Sequence, residues 1–218
     1  SSDLPRLYCF IENYSNCGIK PIESFINGLL NDIDAVENAV GTRLSNGFVE
    51  GTNSISSPID EGKTEEYRKK YFDNDKIKVG IKWKGNTFFD KDRVIPVEMF
   101  EPLMKVENTQ YYSFQTFEGS EDTEKLDGII DVGKDLIDFS QTAAAIKNLD
   151  LVICNDTSLA HLAGAMRIPC WVILPYEVNW RWHTDLSVCD WYESVRLFRQ
   201  KSIGDWQGVF AEIFGEMV

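Results

Sequence analysis

Through the first third of the chain, apolar residues recur at intervals of three and four: Phe10, Ile11, Ile19, Ile22, Phe25, Ile26, Leu29, Leu30 and Ile33. That period predicts an amphipathic helical segment, with Asn27 and Gly28 interrupting it without ending it. A shorter helix over 34–40 stops at Gly41, a residue suited to the left-handed cap conformation. The stretch LSNGFVEGTNSISSP reads as loop. Residues 60–71 are charged and carry only Tyr67 and Tyr71 as an apolar face, so 54–75 is expected to be a linker or an exposed helix.

From Lys76 the pattern changes to short apolar runs alternating with helix-length amphipathic ones. The runs IKVGIKW (77–83), QYYSF (110–114), GIIDV (128–132), LDLVIC (149–154) and CWVILP (170–175) predict strands. Helices are expected over 98–106, 138–149, 156–167 and 202–217, with a short turn at SEDTEKL. Strand, helix, strand at this spacing is the pattern of βαβ units, whose crossovers force a parallel sheet covered on both faces. The expected fold class is α/β: a Rossmann-like, doubly wound parallel sheet over 76–218, preceded by a small helical segment over 1–53.

Composition narrows the function classes. The 218 residues carry 22 basic and 35 acidic side chains, a formal net charge of −13, with the acid spread along the whole chain. A surface of that sign repels a polyphosphate backbone, so no nucleic-acid partner is expected. Apolar runs are too short to span a bilayer, the first residues lack signal-peptide character, and five cysteines stand at no CxxC spacing. The expectation is a cytoplasmic protein with reduced thiols and no membrane span. His161 and His183 have no matching carboxylate or cysteine spacing, which argues against a metal. GxSxG, GxxxxGK[ST] and GxGxxG are all missing, so neither a serine hydrolase, a P-loop kinase nor an NAD dehydrogenase is indicated, and no cofactor is expected.

In an open α/β sheet, ligands sit beyond the C-terminal ends of the strands, where helix N-termini present unbonded N–H groups. Two such places stand out. After the first strand comes Lys84-Gly85-Asn86-Thr87, then Asp90-Lys91-Asp92-Arg93; Gly85 admits close approach, and Lys84, Lys91 or Arg93 could meet a phosphate. An ordinary polar βα loop would look the same. After the fourth strand, Asn155-Asp156-Thr157-Ser158 leads straight into a helix. Asp156 or Thr157 can cap it, leaving the amides of Ser158, Leu159 and Ala160 as a cup for a diphosphate, with His161 on the same crevice. A capped helix with a core histidine fits those residues equally. Asp138 and Ser140 start the preceding helix and open onto the same edge. The aromatic stretch Trp180-Arg181-Trp182-His183 could stack on a base or sugar, or could simply seal the sheet edge.

The segments IKVGIKWKGN, DRVIPVEMFEPL, YYSFQ, DVGKDLIDFSQTAAAIKNLDLVICNDTSLAHLAGAMRIPCWVILPYEVNWRW and DWYESVRLFRQ match in order over residues 77–213. Together they closely resemble the C-terminal domain of heptosyltransferase-like glycosyltransferases, notably bacterial ones in which this domain follows tetratricopeptide repeats. The resemblance implies the nucleotide-sugar-binding half of a GT-B fold, with Asp156, Thr157, Ser158 and His161 on the loop and helix start that hold the donor diphosphate. Gly85 and Asn86 fall on the loop facing it, and Lys84, Arg93, Asp138, Ser140, Trp180 and Arg181 are further candidate donor contacts. The acceptor domain that supplies a general base has no counterpart in the 76 preceding residues. The expected function is therefore binding of a nucleotide-diphosphate sugar, with a second domain or chain needed to complete catalysis.

Residues 8–53 resemble something different: the C-terminal end of a DDE-type insertion-sequence transposase, with Ser45-Asn46-Gly47, Val49-Glu50-Gly51 and Asn53 on its closing signature. That resemblance implies Glu50 as the last of three metal-binding carboxylates. The two aspartates expected upstream are missing, so a small helical pair with a polar turn is the preferred reading. A non-catalytic fusion remnant is the main alternative to the glycosyltransferase reading, and a transposase fragment the lesser one.

Overall fold

The computed structural model describes residues 59–85, 92–178, 182, 189 and 191–218, together with Tyr8, Ile11, Glu12, Lys20, Ile26 and Leu30. The chain divides into two compact units, Ser1–Glu50 and Gly51–Val218. In the first unit the six described residues are helical; Ile11 and Ile26 are buried, whereas Leu30, assigned to the same stripe, is exposed. Glu50 lies outside the described residues.

The second unit is built on β1 (Ile77–Lys82), β2 (Thr109–Ser113), β3 (Ile130–Asp131), β4 (Leu151–Asn155), β5 (Cys170–Leu174) and β6 (Val195–Arg199). All five strand pairings are parallel and the order is β3-β2-β1-β4-β5-β6. Strand β1 is the pivot: it pairs with β2 from Ile77↔Thr109 to Ile81↔Ser113 and with β4 from Val79↔Leu151 to Lys82↔Cys154. A strand flanked on both sides and covered on both faces buries consecutive residues, and Val79, Gly80 and Ile81 are buried without alternation.

Two cores lie on opposite faces of the sheet. One joins Tyr112, Phe114, Val152, Cys154 and Val172 to α2 (Phe139–Ile146) and α3 (Ser158–Ala165). The other joins Val79, Ile81, Tyr111, Ile153 and Phe198 to α4 (Trp206–Met217) and to the turns at 97–105. Helix α1 (Glu61–Tyr67), continued by a π-helical turn to Phe72, covers the first core. The described part of 54–75, expected as a linker or exposed helix, is thus a helix with Tyr67 and Phe72 buried; the Tyr67 hydroxyl donates to the Asp135 carbonyl at 3.0 Å. Two aromatic anchors suffice to dock a helix whose other positions are charged, so its weak stripe understated its burial.

Two further expectations change. The helix expected over 98–106 is instead a pair of 3-10 turns, Val97–Phe100 and Leu103–Lys105. Pro102 between them lacks an N–H, so it cannot donate the bond that would carry one continuous helix through this point. Strand β6 was not anticipated. It is an edge strand whose Arg196, on the face that α4 covers, pairs with Glu216 of that helix at 2.8 Å, so polar residues interrupt the apolar run that marks the inner strands. No helix among the described residues is long and apolar enough to cross a membrane.

One backbone approach ties the sheet edge together. A Cβ at Gly133 would stand 2.0 Å from the Gln115 carbonyl oxygen, leaving room for hydrogen only. Gly133→Ala must push the β2 and β3 loops apart, and a loss of about 1–3 kcal/mol is expected, read as a lower urea midpoint with an unchanged slope. An unchanged midpoint would contradict this contact.

Candidate functional site

The strand order reverses direction at β1 and β4, and there the sheet opens into a cavity of about 770 Å³. Its walls are the segments that follow β1 (Lys82 to Gly85), β2 (Phe114 to Glu118) and β4 (Asn155 to Leu159), with Arg93 and the start of α2. Loops after β1 and β4 leave the sheet towards opposite faces, so a crevice must form between them.

Gln115 holds the loops on the β1–β2 side. Its Oε1 accepts from the amides of Trp83 and Lys84 at 3.3 and 3.0 Å, and its Nε2 donates to the carbonyls of Lys84 and Glu118 at 2.9 and 2.7 Å. With the side chain 1% exposed, these bonds form out of water, where a donor left unpaired is costly. Beneath this loop, the last residue of β1 is a lysine. Lys82 is 9% exposed, and its Nζ donates to the Phe114 carbonyl and the Thr116 hydroxyl at 3.3 and 3.2 Å. Burial holds its pKa down at about 8.

On the β4 side, Thr157 occupies the N-cap of α3 with extended backbone, but its hydroxyl donates to the Asn155 carbonyl at 3.3 Å and does not cap the helix. The amides of Ser158 and Leu159 make no hydrogen bond among the described residues. The Ala160 amide, expected to join them, is already bonded to the Thr157 carbonyl at 3.0 Å because the helix opens with a tight turn. A Cβ at Gly85 would lie 3.0 Å from Thr157 Cγ2, so the two loops touch at that glycine.

Asp156, at 3% side-chain exposure, pairs with Arg93 Nη1 at 2.9 Å, and the Arg93 carbonyl accepts from Asn155 Nδ2 at 3.0 Å. Asp156 is therefore a partner that fixes a cation, since a carboxylate repels a phosphate oxygen. His161 does not face the crevice. It is buried outside the cavity lining, its ring stacked on Trp182 with centroids 5.3 Å apart and its Nδ1 3.3 Å from the Tyr192 hydroxyl, while Nε2 lies 4.0 Å from Asp156 Oδ1. Position 161 sits one turn into α3 on the side packed against 182 and 192, a direction that only the tertiary contacts set.

Helix α2 opens beside this wall with a reciprocal cap: Asp138 Oδ1 accepts from the Gln141 amide at 2.8 Å, and Gln141 Oε1 from the Ile137 amide at 2.7 Å. Asp138 and Phe139 line the cavity; Ser140 is exposed and does not. Lys84 lines it too, its Nζ 3.4 Å from Glu118 Oε1. Asn86, Lys91, Trp180 and Arg181 lie outside the described residues. Of the expected residues, the structure thus brings Lys84, Gly85, Arg93, Asp138, Asp156, Thr157 and Ser158 to one cavity and sets His161 and Ser140 aside.

Sequence reasoning missed Lys82, Gln115 and Asn155. Lys82 did leave a signal, as a charge at the end of an apolar run; Gln115, just past β2, and Asn155, the last residue of β4, are polar residues that nothing local distinguishes. Among the described residues, no group of three or more His, Cys, Asp or Glu side chains could hold a metal ion.

Every described cavity residue falls inside one matched segment. Residues 68–173 match glycosyltransferase family 9 (heptosyltransferase). That family 9 match takes in β1 to β5 and leaves β6 and α4 beyond its end. Among solved structures the chain is similar to E. coli ADP-heptose LPS heptosyltransferase II, with TM-score 0.55 and 16% identity over 73% of this chain and 52% of that one. It is also similar to the family 9 glycosyl transferase of Veillonella parvula DSM 2008, with TM-score 0.52 and 13% identity over 70% of this chain and 43% of that one. At such identities the likeness establishes the α/β fold, and the chain spans about half the length of these structures. No curated protein matches the chain. The transposase resemblance at 8–53 lies outside the family 9 segment and gains no support.

Removing Arg93 would leave Asp156 a buried carboxylate with, among the described residues, only the His161 imidazole beside it, 4.0 Å away. Arg93→Ala is expected to cost about 2–4 kcal/mol at neutral pH, discounted for the arginine's partial exposure. Arg93→Ala combined with Asp156→Asn should recover much of that loss in denaturant titrations. A double variant as weak as the single would show that the pair is not the cause.

Proposed function

We propose that the Gly51–Val218 unit is the donor-binding half of a GT-B glycosyltransferase and takes a nucleotide-diphosphate sugar in the cavity between β1 and β4. The observation that carries this reading is the pair of unbonded amides at Ser158 and Leu159, opening α3 on the wall of the cavity where the strand order reverses. Such an N-terminus offers directed donors and partial positive charge to a diphosphate. Arg93, fixed by Asp156, adds a full charge to the same wall.

In glycosyl transfer the donor loses its diphosphate as the sugar carbon passes to an acceptor oxygen. The residues described here serve the leaving group: amides and cations that are already oriented stabilise the charge that develops on it, which lowers the barrier without any metal. Deprotonating the acceptor hydroxyl needs a base on the opposite side of the sugar, and a second domain or chain would bring both base and acceptor. His161 acts behind this wall, where its stack with Trp182 and its approach to Asp156 hold the start of α3 in place.

Titration calorimetry with ADP-, GDP- and UDP-glucose tests the reading directly. At least one should bind, whereas glucose should not; a flat response to all three would overturn it and leave a non-catalytic remnant. Ser158→Pro sharpens the test. Ser158 is the first helical residue and Thr157 before it is already extended at φ −140°, ψ 172°, so proline fits the backbone and removes one amide. Donor affinity should fall roughly fivefold or more with stability changed by under ~1 kcal/mol. Equal loss of both would count against the phosphate cup.

A further inference from the structure

Among the described residues three cations line the cavity, and two are neutralised within the protein: Arg93 by Asp156 at 2.9 Å and Lys84 by Glu118 at 3.4 Å. Lys82 differs. Both acceptors of its ammonium are neutral, the Phe114 carbonyl and the Thr116 hydroxyl, and no carboxylate among the described residues pairs with it. An ammonium has three N–H donors, so one remains after these two bonds. A charge 9% exposed and without a counter-ion is an expense that folded proteins rarely carry.

Among the described residues, no carboxylate around it supplies the missing charge. On the neighbouring strand, Cys154 is paired in register with Lys82. Asp138 of α2 caps its own helix, and Asp156 and Glu118 are held by the other two cations. A second atom on the cavity wall is also incomplete: Asn155, 1% exposed, has a buried Oδ1 with no hydrogen-bond partner. An unmatched donor charge and an unmatched acceptor in one cavity suit a ligand that brings an anionic oxygen and a hydroxyl or amino group.

We infer that Lys82 is itself a ligand-binding residue, its charge and spare N–H completed by a phosphate oxygen of the bound molecule, so that the cavity selects phosphorylated ligands from the end of β1 as well as from the start of α3. The ligand class rests on the donor reading above; the unmatched charge of Lys82 does not. The lysine also couples binding to pH. In the free protein it loses its charge as pH rises through about 8. A bound anion favours the ammonium and raises that pKa, so affinity is level below this pH and declines above it, by up to about tenfold per pH unit.

The experiment is calorimetry between pH 6.5 and 9 on the full chain and on Lys82→Met and Lys82→Arg, with ADP-, GDP- and UDP-glucose and, separately, inorganic pyrophosphate. Circular dichroism melts confirm that each variant folds. For any sugar nucleotide that binds, wild-type affinity should weaken about five- to tenfold from pH 7.5 to 9. Lys82→Met should bind about tenfold or more weakly at pH 7 and lose the decline, and Lys82→Arg should regain affinity with no decline, because arginine stays charged throughout. Wild-type binding that Lys82→Met reproduces within about twofold, with the same pH profile, overturns the inference and makes Lys82 a tie between β1 and β2. If no sugar nucleotide binds, the donor reading fails by itself and the pyrophosphate arm decides for Lys82. Pyrophosphate binding that Lys82→Met weakens supports it, and binding that is absent or unaffected sinks it.

Discussion

Strand β1 is hydrogen-bonded to parallel partners on both sides, and the chain departs from it towards β2 and returns to its other flank only at β4. Right-handed crossovers then force the connections after these two strands onto opposite faces of the sheet. Neither loop can close over the gap, so the ends of β1 and β4 stay open between them. The cavity is a consequence of that strand order, and its residues are those with which β1, β2 and β4 happen to end. What the protein adds is rigidity: Gln115 clamps one lip through four backbone groups, and the Asp156–Arg93 pair clamps the other.

Charge is distributed against the overall balance. Among its described residues, a chain of net charge −13 places three cations around one cavity and holds Asp156 and Glu118 against two of them and Asp138 at a helix cap. Lys82 is the member left without an acid, and it is also the most enclosed. Under the proposed function, an anionic ligand would meet both this lysine and the two unbonded amides at the helix start.

The cavity residues fall inside the family 9 match, while this chain covers only 52% and 43% of the solved structures similar to it. This division has a chemical reading under the proposed function. One half of the reaction concerns the leaving diphosphate, and the described residues answer to it; the other concerns the acceptor hydroxyl, for which a base must stand across the cleft.

Much was legible from local pattern alone. Five apolar runs became five parallel strands, and Asp138 and the Asn155–Ser158 turn marked two helix starts, because each depends on residues within a few positions of one another. Pro102 showed the limit of periodicity, and β6 the limit of apolar runs, since an edge strand tolerates a charge that a neighbouring helix can pair. The remainder was decided by contacts between residues far apart in the chain. Asp156 became the partner of Arg93, 63 positions away, only because β1 and β4 are neighbours. His161 turned from the crevice because Trp182 and Tyr192 pack against α3, and Lys82 lost its water because Phe114 and Thr116 close over the end of β1. Hydrophobic spacing specifies which face of an element is buried; which side chains meet there, and with what charge, follows from strand order and register, which no local window contains.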